Sequence, residues 1–398
     1  MNTYKNTTSL SVHSPSIIWV SILSLGTFII FFQGFMVAPI LPKLSGLFKV
    51  TVQHVSFIEP SYLLSYGIAT LIYAPLSDKY GRFPVITFSL CGFILVTALT
   101  GFAQNIDQLI FLRLLTGLLA GGVAPTTIGW IGDNFPYEKR GHALGIFFGF
   151  MAAGTAFGST AGALLTSFLG WRVLFWIVAG LGTIILGIFI FNRVNFSQKQ
   201  NKNTVKVRSM LSEYYNLLKL SRARRTYLFV LLNSMFHGGI FAWTGYFFFK
   251  NYHLTERGVG LALLGYGIPG LLLGPFLGKM ADKFGRNRII PIGITVGAIS
   301  TLLLAMQYPL LVSCFLIATL SFAFDMTHPL FAAIITTLSE HKGIAIGLFA
   351  FVMFMGYGLG SLVFSLIINL GINESFKVFG FCAVLGAILS FFAFRNER

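Results

Sequence analysis

Leu76-Ser-Asp-Lys-Tyr-Gly-Arg82 and Met280-Ala-Asp-Lys-Phe-Gly-Arg286 are two copies of one short pattern, 204 residues apart in a chain of 398. Asp78 and Asp282, Gly81 and Gly285, and Arg82 and Arg286 coincide at that offset, and each copy lies between two long apolar runs. A second set repeats at an offset of 202: Gly141/Gly343, Gly145/Gly347, Gly154/Gly356, Gly158/Gly360 and Ser159/Ser361. The fold is therefore written twice along the chain.

What each copy contains follows from composition. Hydrophobic residues make up 55% and charged residues only 10%, with a mean hydropathy of +0.79. A soluble domain carries about 25% charged residues, so this chain cannot clothe a water-facing surface. A membrane-spanning helix needs about 20 apolar residues. The sequence divides into twelve such runs: 17–41, 52–76, 83–104, 107–132, 141–168, 171–192, 226–249, 257–279, 288–306, 309–334, 343–370 and 375–395. The expected fold class is an all-α polytopic membrane protein with twelve transmembrane helices in two pseudo-symmetric six-helix bundles. Six spans per half keep both copies in the same orientation, a parallel repeat.

The expected domains are an N-terminal tail (1–16), a first bundle (17–192), a basic linker (193–225) and a second bundle (226–395). Of the 28 Lys+Arg, 21 fall on the side that holds both chain ends, six on the other side, and Arg113 lies inside a span. Basic residues collect in cytoplasmic loops, so both termini are expected in the cytoplasm of a cell (inner) membrane. The same rule accounts for the net charge of +16. Cys91, Cys314 and Cys382 lie far apart inside apolar runs and form no disulfide or metal motif.

With these spans in place, a resemblance emerges. Asp-x-x-Gly-Arg between spans 2 and 3, repeated between spans 8 and 9, resembles the signature of the major facilitator superfamily. Pro39-Ile-Leu-Pro42 at the end of span 1, Arg113-x-x-x-Gly117 in span 4, Asp133-x-x-Pro136-x-x-x-Arg140-Gly141, and Gly170-Trp171-Arg172 match as well. Within that superfamily the chain is most similar to the twelve-span drug/proton antiporters. Ser159 stands where their span 5 pattern has proline, and Thr116 where their span 4 motif commonly has glutamine. The resemblance implies two bundles that rock about a cavity lined by spans 1, 4, 7 and 10. It also implies a conformational latch of Asp78, Gly81, Arg82 and Asp133, with Asp282, Gly285 and Arg286 as its repeat.

Ionisable and strongly polar side chains inside a bilayer are costly and default to functional candidates. Here they are Gln33, Glu59, Arg113, Asn233, His237, Asp325 and His328. At 1.5 Å per residue Arg113 and Glu59 both lie about 9–10 Å below the outer face, whereas Asp325 lies about 24 Å from it. Glu59, Arg113, Asp325 and His328 are the proton-coupling candidates. For Glu59 an alternative stands beside this one: Ser56-x-x-Glu59 before Pro60 reads as a capping box at a helix start. Gln33, Asn233, His237, Trp243 and Tyr246 are the substrate-cavity candidates, although for the aromatic residues lipid-facing bulk accounts for most. Gly154, Gly158 and Gly162, four apart, make a bare helix face that close packing explains.

The function expected is proton-coupled efflux of small amphipathic or drug-like compounds by alternating access. The alternative is a carrier dedicated to one metabolite such as a sugar, nucleoside or siderophore. Expected partners are a small-molecule substrate, protons and the lipid bilayer, with the protein a monomer. No Walker lysine motif, His-Glu-x-x-His or Gly-x-Ser-x-Gly points to an enzyme, and neither cofactor, metal nor nucleic acid is expected.

Overall fold

Within hydrocarbon a backbone has no water to bond, so each apolar run closes its hydrogen bonds internally as a helix. A computed structural model describes residues 17–135, 137–192, 207–266, 269, 284–306, 308–338 and 342–397. Among them there is no strand, and eleven helical stretches are long and apolar enough to cross a membrane. The remaining predicted span, 257–279, is helical over 256–266 and at 269, and its other residues lie outside the described ones, as do Asp282 and the tail 1–16.

The first half runs α1 (Ile17–Phe35), α2 (Leu41–Phe48), α3 (Val52–Ser56), α4 (Ile58–Tyr80), α5 (Arg82–Thr100), α6 (Ile106–Ala120), α7 (Val123–Asn134), α8 (Tyr137–Leu169) and α9 (Trp171–Phe191). After α10 (Val207–Lys219) come α11 (Ser221–Tyr252), α12 (residues 256–266), α13 (Arg286–Leu304), α14 (Leu310–Ile335), α15 (Lys342–Ile367) and α16 (Ile372–Ala393).

Four segments depart from the uninterrupted spans and plain linker read in the sequence. Span 1 tightens into a 3-10 turn at Ala38–Ile40, where Pro39 and Pro42 supply no backbone donors, and continues as α2. Span 2 is jointed at Phe57. Span 4 is two helices that meet at Gly121–Gly122, a pair with no side chains to hold a straight helix. Part of the expected linker is helix α10, and the helix of span 7 starts at Ser221, five residues earlier than predicted.

The repeat is visible in the backbone itself. Gly81 (φ 95°) and Gly285 (φ 86°) turn the chain on one face, and Gly170 (φ 80°) and Gly371 (φ 100°) turn it on the other. At positive φ a Cβ is disfavoured, so glycine occupies all four corners. Lys49 (φ 54°) and His253 (φ 52°), again 204 apart, end α2 and α11 in the left-handed conformation.

Small residues set how closely the helices approach. A Cβ on Gly154 would stand 2.5 Å from the Phe28 carbonyl oxygen, and one on Gly158 2.7 Å from Phe32 Cα, so α8 lies backbone to backbone on α1. Gly356 and Gly360 press α15 onto α11 in the same way, at Leu231 and Met235. Gly67 and Gly358 bring α4 and α15, one from each bundle, into contact. Phenylalanine and leucine cover the outside: Phe88, Phe102, Phe315 and Phe381 are each more than 60% exposed, a surface suited to lipid.

Candidate functional site

Arg113 on α6 is wholly buried, and its guanidinium is almost fully occupied. Nη1 donates to Gln33 Oε1 at 2.7 Å, Nη2 to the Gly34 carbonyl at 2.8 Å and Nε to the Ile58 carbonyl at 3.3 Å. Its plane rests over the Tyr62 ring, 4.2 Å from the centroid. The α1 carbonyls are within reach because Gly34 has no side chain: a Cβ there would meet the Tyr62 ring at 2.9 Å. Gly117, one turn on, lets α6 settle onto the Tyr62 carbonyl and Ser65.

Glu59 is 1% exposed, and neither carboxylate oxygen has a hydrogen-bond partner. The capping-box alternative does not hold. Thr51 caps α3 by accepting from the His54 amide, and the Ser56 hydroxyl bonds instead to the Gln53 carbonyl and to Ser365. Span 2 thus begins ahead of Ser56, and Glu59 lies inside it. Arg113 is within electrostatic reach of Glu59 but forms no ion pair with it.

In the second bundle three of the predicted polar residues converge. The His328 ring nitrogens face Ser234 Oγ at 3.0 Å and Asn233 Nδ2 at 3.3 Å, and the ring stacks on Phe324 with centroids 3.8 Å apart. His237 stands 6.1 Å from His328, ring to ring, with both nitrogens buried and unpartnered. Asn233 also donates to Thr327. Asp325, three residues before His328 and so on the same helix face, makes no hydrogen bond to it. One of its oxygens is buried without a partner.

Aromatic rings fill the seam between these two sites: Phe31 against Phe354 (5.8 Å), Tyr66 against Phe354 (4.5 Å) and Phe35 against Phe241 (5.4 Å). Trp243 is not among them, contrary to expectation. It stacks on Phe364 within the second bundle, and Tyr246 packs on Trp243 and Phe249. The side of α11 facing the other bundle carries instead Phe241 and Gly245, the latter against Pro39.

On the face that carries most basic residues, Arg82 bonds to Asp78 at 2.6 Å, to Asp133 at 3.1 Å and to the Ser77 hydroxyl. All four lie in the first bundle. Gly129 leaves room for the guanidinium: a Cβ there would stand 2.8 Å from Arg82 Cζ. The opposite face is tied across the seam. Lys43 pairs with Glu256 at 2.8 Å while also donating to the Thr166 carbonyl, and Gln53 donates to the Ser365 carbonyl at 2.9 Å. The Lys43–Glu256 pair sits in a cleft of about 830 Å³ lined by both bundles, with Phe249, Leu254 and Arg257 among its walls.

Sequence reasoning passed over Tyr62, Gly129, Lys43, Glu256 and the joint in span 4. Gly121-Gly122 was a readable signal for the last. Lone loop charges such as Lys43 and Glu256 carry no pattern that pairs them across 213 residues.

Two repeated helical bundles, each with a buried polar site beside an aromatic seam, are the architecture of a polytopic transporter. The chain belongs to the Major Facilitator Superfamily, whose family model matches residues 23–255 and 226–398. It is 26% identical to the MFS-type transporter YwfA of Bacillus subtilis (strain 168), over 100% of this chain and 97% of that one. It is 30% identical to the multidrug resistance protein MdtG of Salmonella schwarzengrund, over 61% of this chain and 59% of MdtG. In fold it is similar to a bacterial homolog of the human lysosomal transporter Spinster, with a TM-score of 0.76 and 16% identity, over 96% of this chain and 97% of that one.

Proposed function

We propose that this facilitator-superfamily protein exports small amphipathic compounds in exchange for protons. In this reading both chain ends and the Asp78–Arg82–Asp133 face lie in the cytoplasm of the cell membrane, and the two bundles rock to open the seam to either side. The observation that carries the reading is Glu59, an acid deep in a membrane span with no donor on either oxygen, beside an arginine already satisfied by neutral carbonyl and amide oxygens. A buried carboxylate without hydrogen bonds is costly as an anion, and taking up a proton removes that cost. Asp325 supplies a second acid of the same kind in the other bundle.

The aromatic seam favours amphipathic cargo, because rings can repack around varied apolar shapes while Asn233, His237 and Gln33 offer single hydrogen-bonding atoms. The relative named a multidrug resistance protein supports the same reading. The first bundle binds the proton at Glu59, and the polar group of the second orients the solute.

The test is flux through the purified protein in sealed vesicles with a pH gradient of either sign, across a chemically diverse panel. Flux of several unrelated amphipathic compounds, reversing with the gradient, is expected. Gradient-independent flux, or flux of one polar metabolite alone, overturns the reading.

A further inference from the structure

Helix α10 packs with one side on the second bundle, where Leu217 is 5% exposed against α11 and α15, while Tyr215 and Leu218 on its other side face outward. Tyr214, one turn from Leu217, points inward, and its hydroxyl oxygen is buried with no hydrogen-bond partner. The neighbouring phenol is satisfied: Tyr227 donates to the Ala345 carbonyl at 3.0 Å. Tyr214 lies over Gly347, where a Cβ would find the Tyr214 oxygen at 3.6 Å and nothing closer. This gives a use to Gly347, which the sequence repeat picks out without explaining.

An unpartnered buried hydroxyl costs about 1–3 kcal/mol, and such an atom at a moving interface marks a partner acquired in another state. The Asp78 carboxylate sits in the last turn of α4, which packs on α15, the helix of Gly347 on which α10 also rests. It belongs to the opposite bundle, it acts electrostatically on Tyr214, and its bond to Arg82 engages one oxygen while the side chain stays 42% exposed. A carboxylate has room for several donors. Burial first, and then the charges of Asp78 and Glu213, hold the Tyr214 phenol above its ordinary value, so it remains an O–H donor.

We propose that Tyr214 is the cross-bundle partner of Asp78: its hydroxyl donates to the Asp78 carboxylate when the basic face closes and the Lys43–Glu256 face opens. Helix α10 thereby carries the first bundle's latch across to the second. This rests on the alternating-access reading above. Tyr214 is a positioning residue and touches no substrate.

Ser365, now buried beneath Gln53 and Ser56, reports on the outer seam. With Cys91, Cys314 and Cys382 replaced by alanine, Ser365→Cys in lipid nanodiscs is labelled with a maleimide. Tyr214→Phe keeps the ring over Gly347 and removes only the hydroxyl. Its labelling is expected to be about tenfold slower, the scale of one hydrogen bond to a charged acceptor. Asp78→Asn is expected to slow labelling as well, the double variant no further than Asp78→Asn alone, and Tyr215→Phe not at all. Labelling of Tyr214→Phe at the parental rate, or independent effects that multiply in the double variant, overturns the assignment while leaving alternating access intact. A parental Ser365→Cys that never labels overturns both.

Discussion

Arg113 and Glu59 stand side by side inside the first bundle without pairing: the base is bound by Gln33, Gly34 and Ile58, and the acid by nothing. An ion pair would have stabilised the carboxylate as an anion. Here the positive charge is dispersed over neutral oxygens and the Tyr62 ring, and under the proposed exchange mechanism Glu59 is the group that takes up the proton. Glu59→Gln is expected to fold normally and to move solute with a rate independent of the imposed pH gradient. Flux measured in sealed vesicles at both signs of gradient checks it, and a parental proton dependence would contradict the role.

Arg113→Lys retains the charge but not the planar fork that reaches the Gln33, Gly34 and Ile58 carbonyls and the Gln33 amide oxygen. At least one of the Gly34, Ile58 or Gln33 oxygens is then left unpaired, at about 1–3 kcal/mol each. A lower melting temperature in lipid and loss of flux are the expected outcome. A lysine variant as stable and active as the parent would show that charge alone suffices.

The glycine face of α8 predicts a contrast within one helix. Gly158→Ala drives a methyl group into the Phe32 backbone, an overpacking worth about 1–3 kcal/mol, whereas Gly149 has nothing within 4 Å of a Cβ and Gly149→Ala is expected to be harmless. Thermal unfolding of the two variants decides between packing and any other reason for this stripe.

On the face opposite Arg82, Lys43→Glu and Glu256→Lys each place like charges where a pair at 2.8 Å now holds the bundles together. Each single reversal is expected to raise Ser365→Cys labelling several-fold. The double reversal is expected to restore the parental rate, because the geometry is preserved with the signs exchanged. Failure of the double variant to recover would assign the closure to the Gln53 and Ser56 bonds instead.

Glu397 predicts a pH dependence. Arg222 donates to it through Nε at 2.7 Å and Nη2 at 2.6 Å, Arg225 adds a third bond, and together they hold its carboxyl below the ordinary range. A carboxyl lower in the folded than in the unfolded chain stabilises the fold above the unfolded value, about 4.3 for glutamate, and that contribution fades as pH falls through the folded value. Glu397→Gln is therefore expected to cost about 1 kcal/mol at pH 7 and progressively less below about pH 4. Melting curves across that range check the sign.

The architecture could be read in the sequence because a bilayer enforces it: run length gives helices, and the basic residues and the 204-residue repeat give two matching halves. The grouping of Asp78, Arg82 and Asp133 could also be read, since all three stand at helix ends on one face, where the structure pairs Arg82 with both acids. The interior was legible only as a set of residues. That Arg113 chooses Gln33 and backbone carbonyls over Glu59 depends on how far Gly34 and Gly117 let α1, α4 and α6 approach, a tertiary distance with no local signature. Trp243 was misplaced for a related reason. Aromatic residues on a helix that is apolar all round carry no periodicity to say which side meets which neighbour.

Lys49 and His253, Gly81 and Gly285, and Gly170 and Gly371 put the same backbone reversals at corresponding points of each half. Every corner is thus encoded locally, within the half that uses it, and none depends on the covalent join between α9 and α10. A polypeptide severed there and made as two fragments keeps these reversals in each fragment, and the close contacts at Gly67 of α4 and Gly358 of α15 would remain for the fragments to mate.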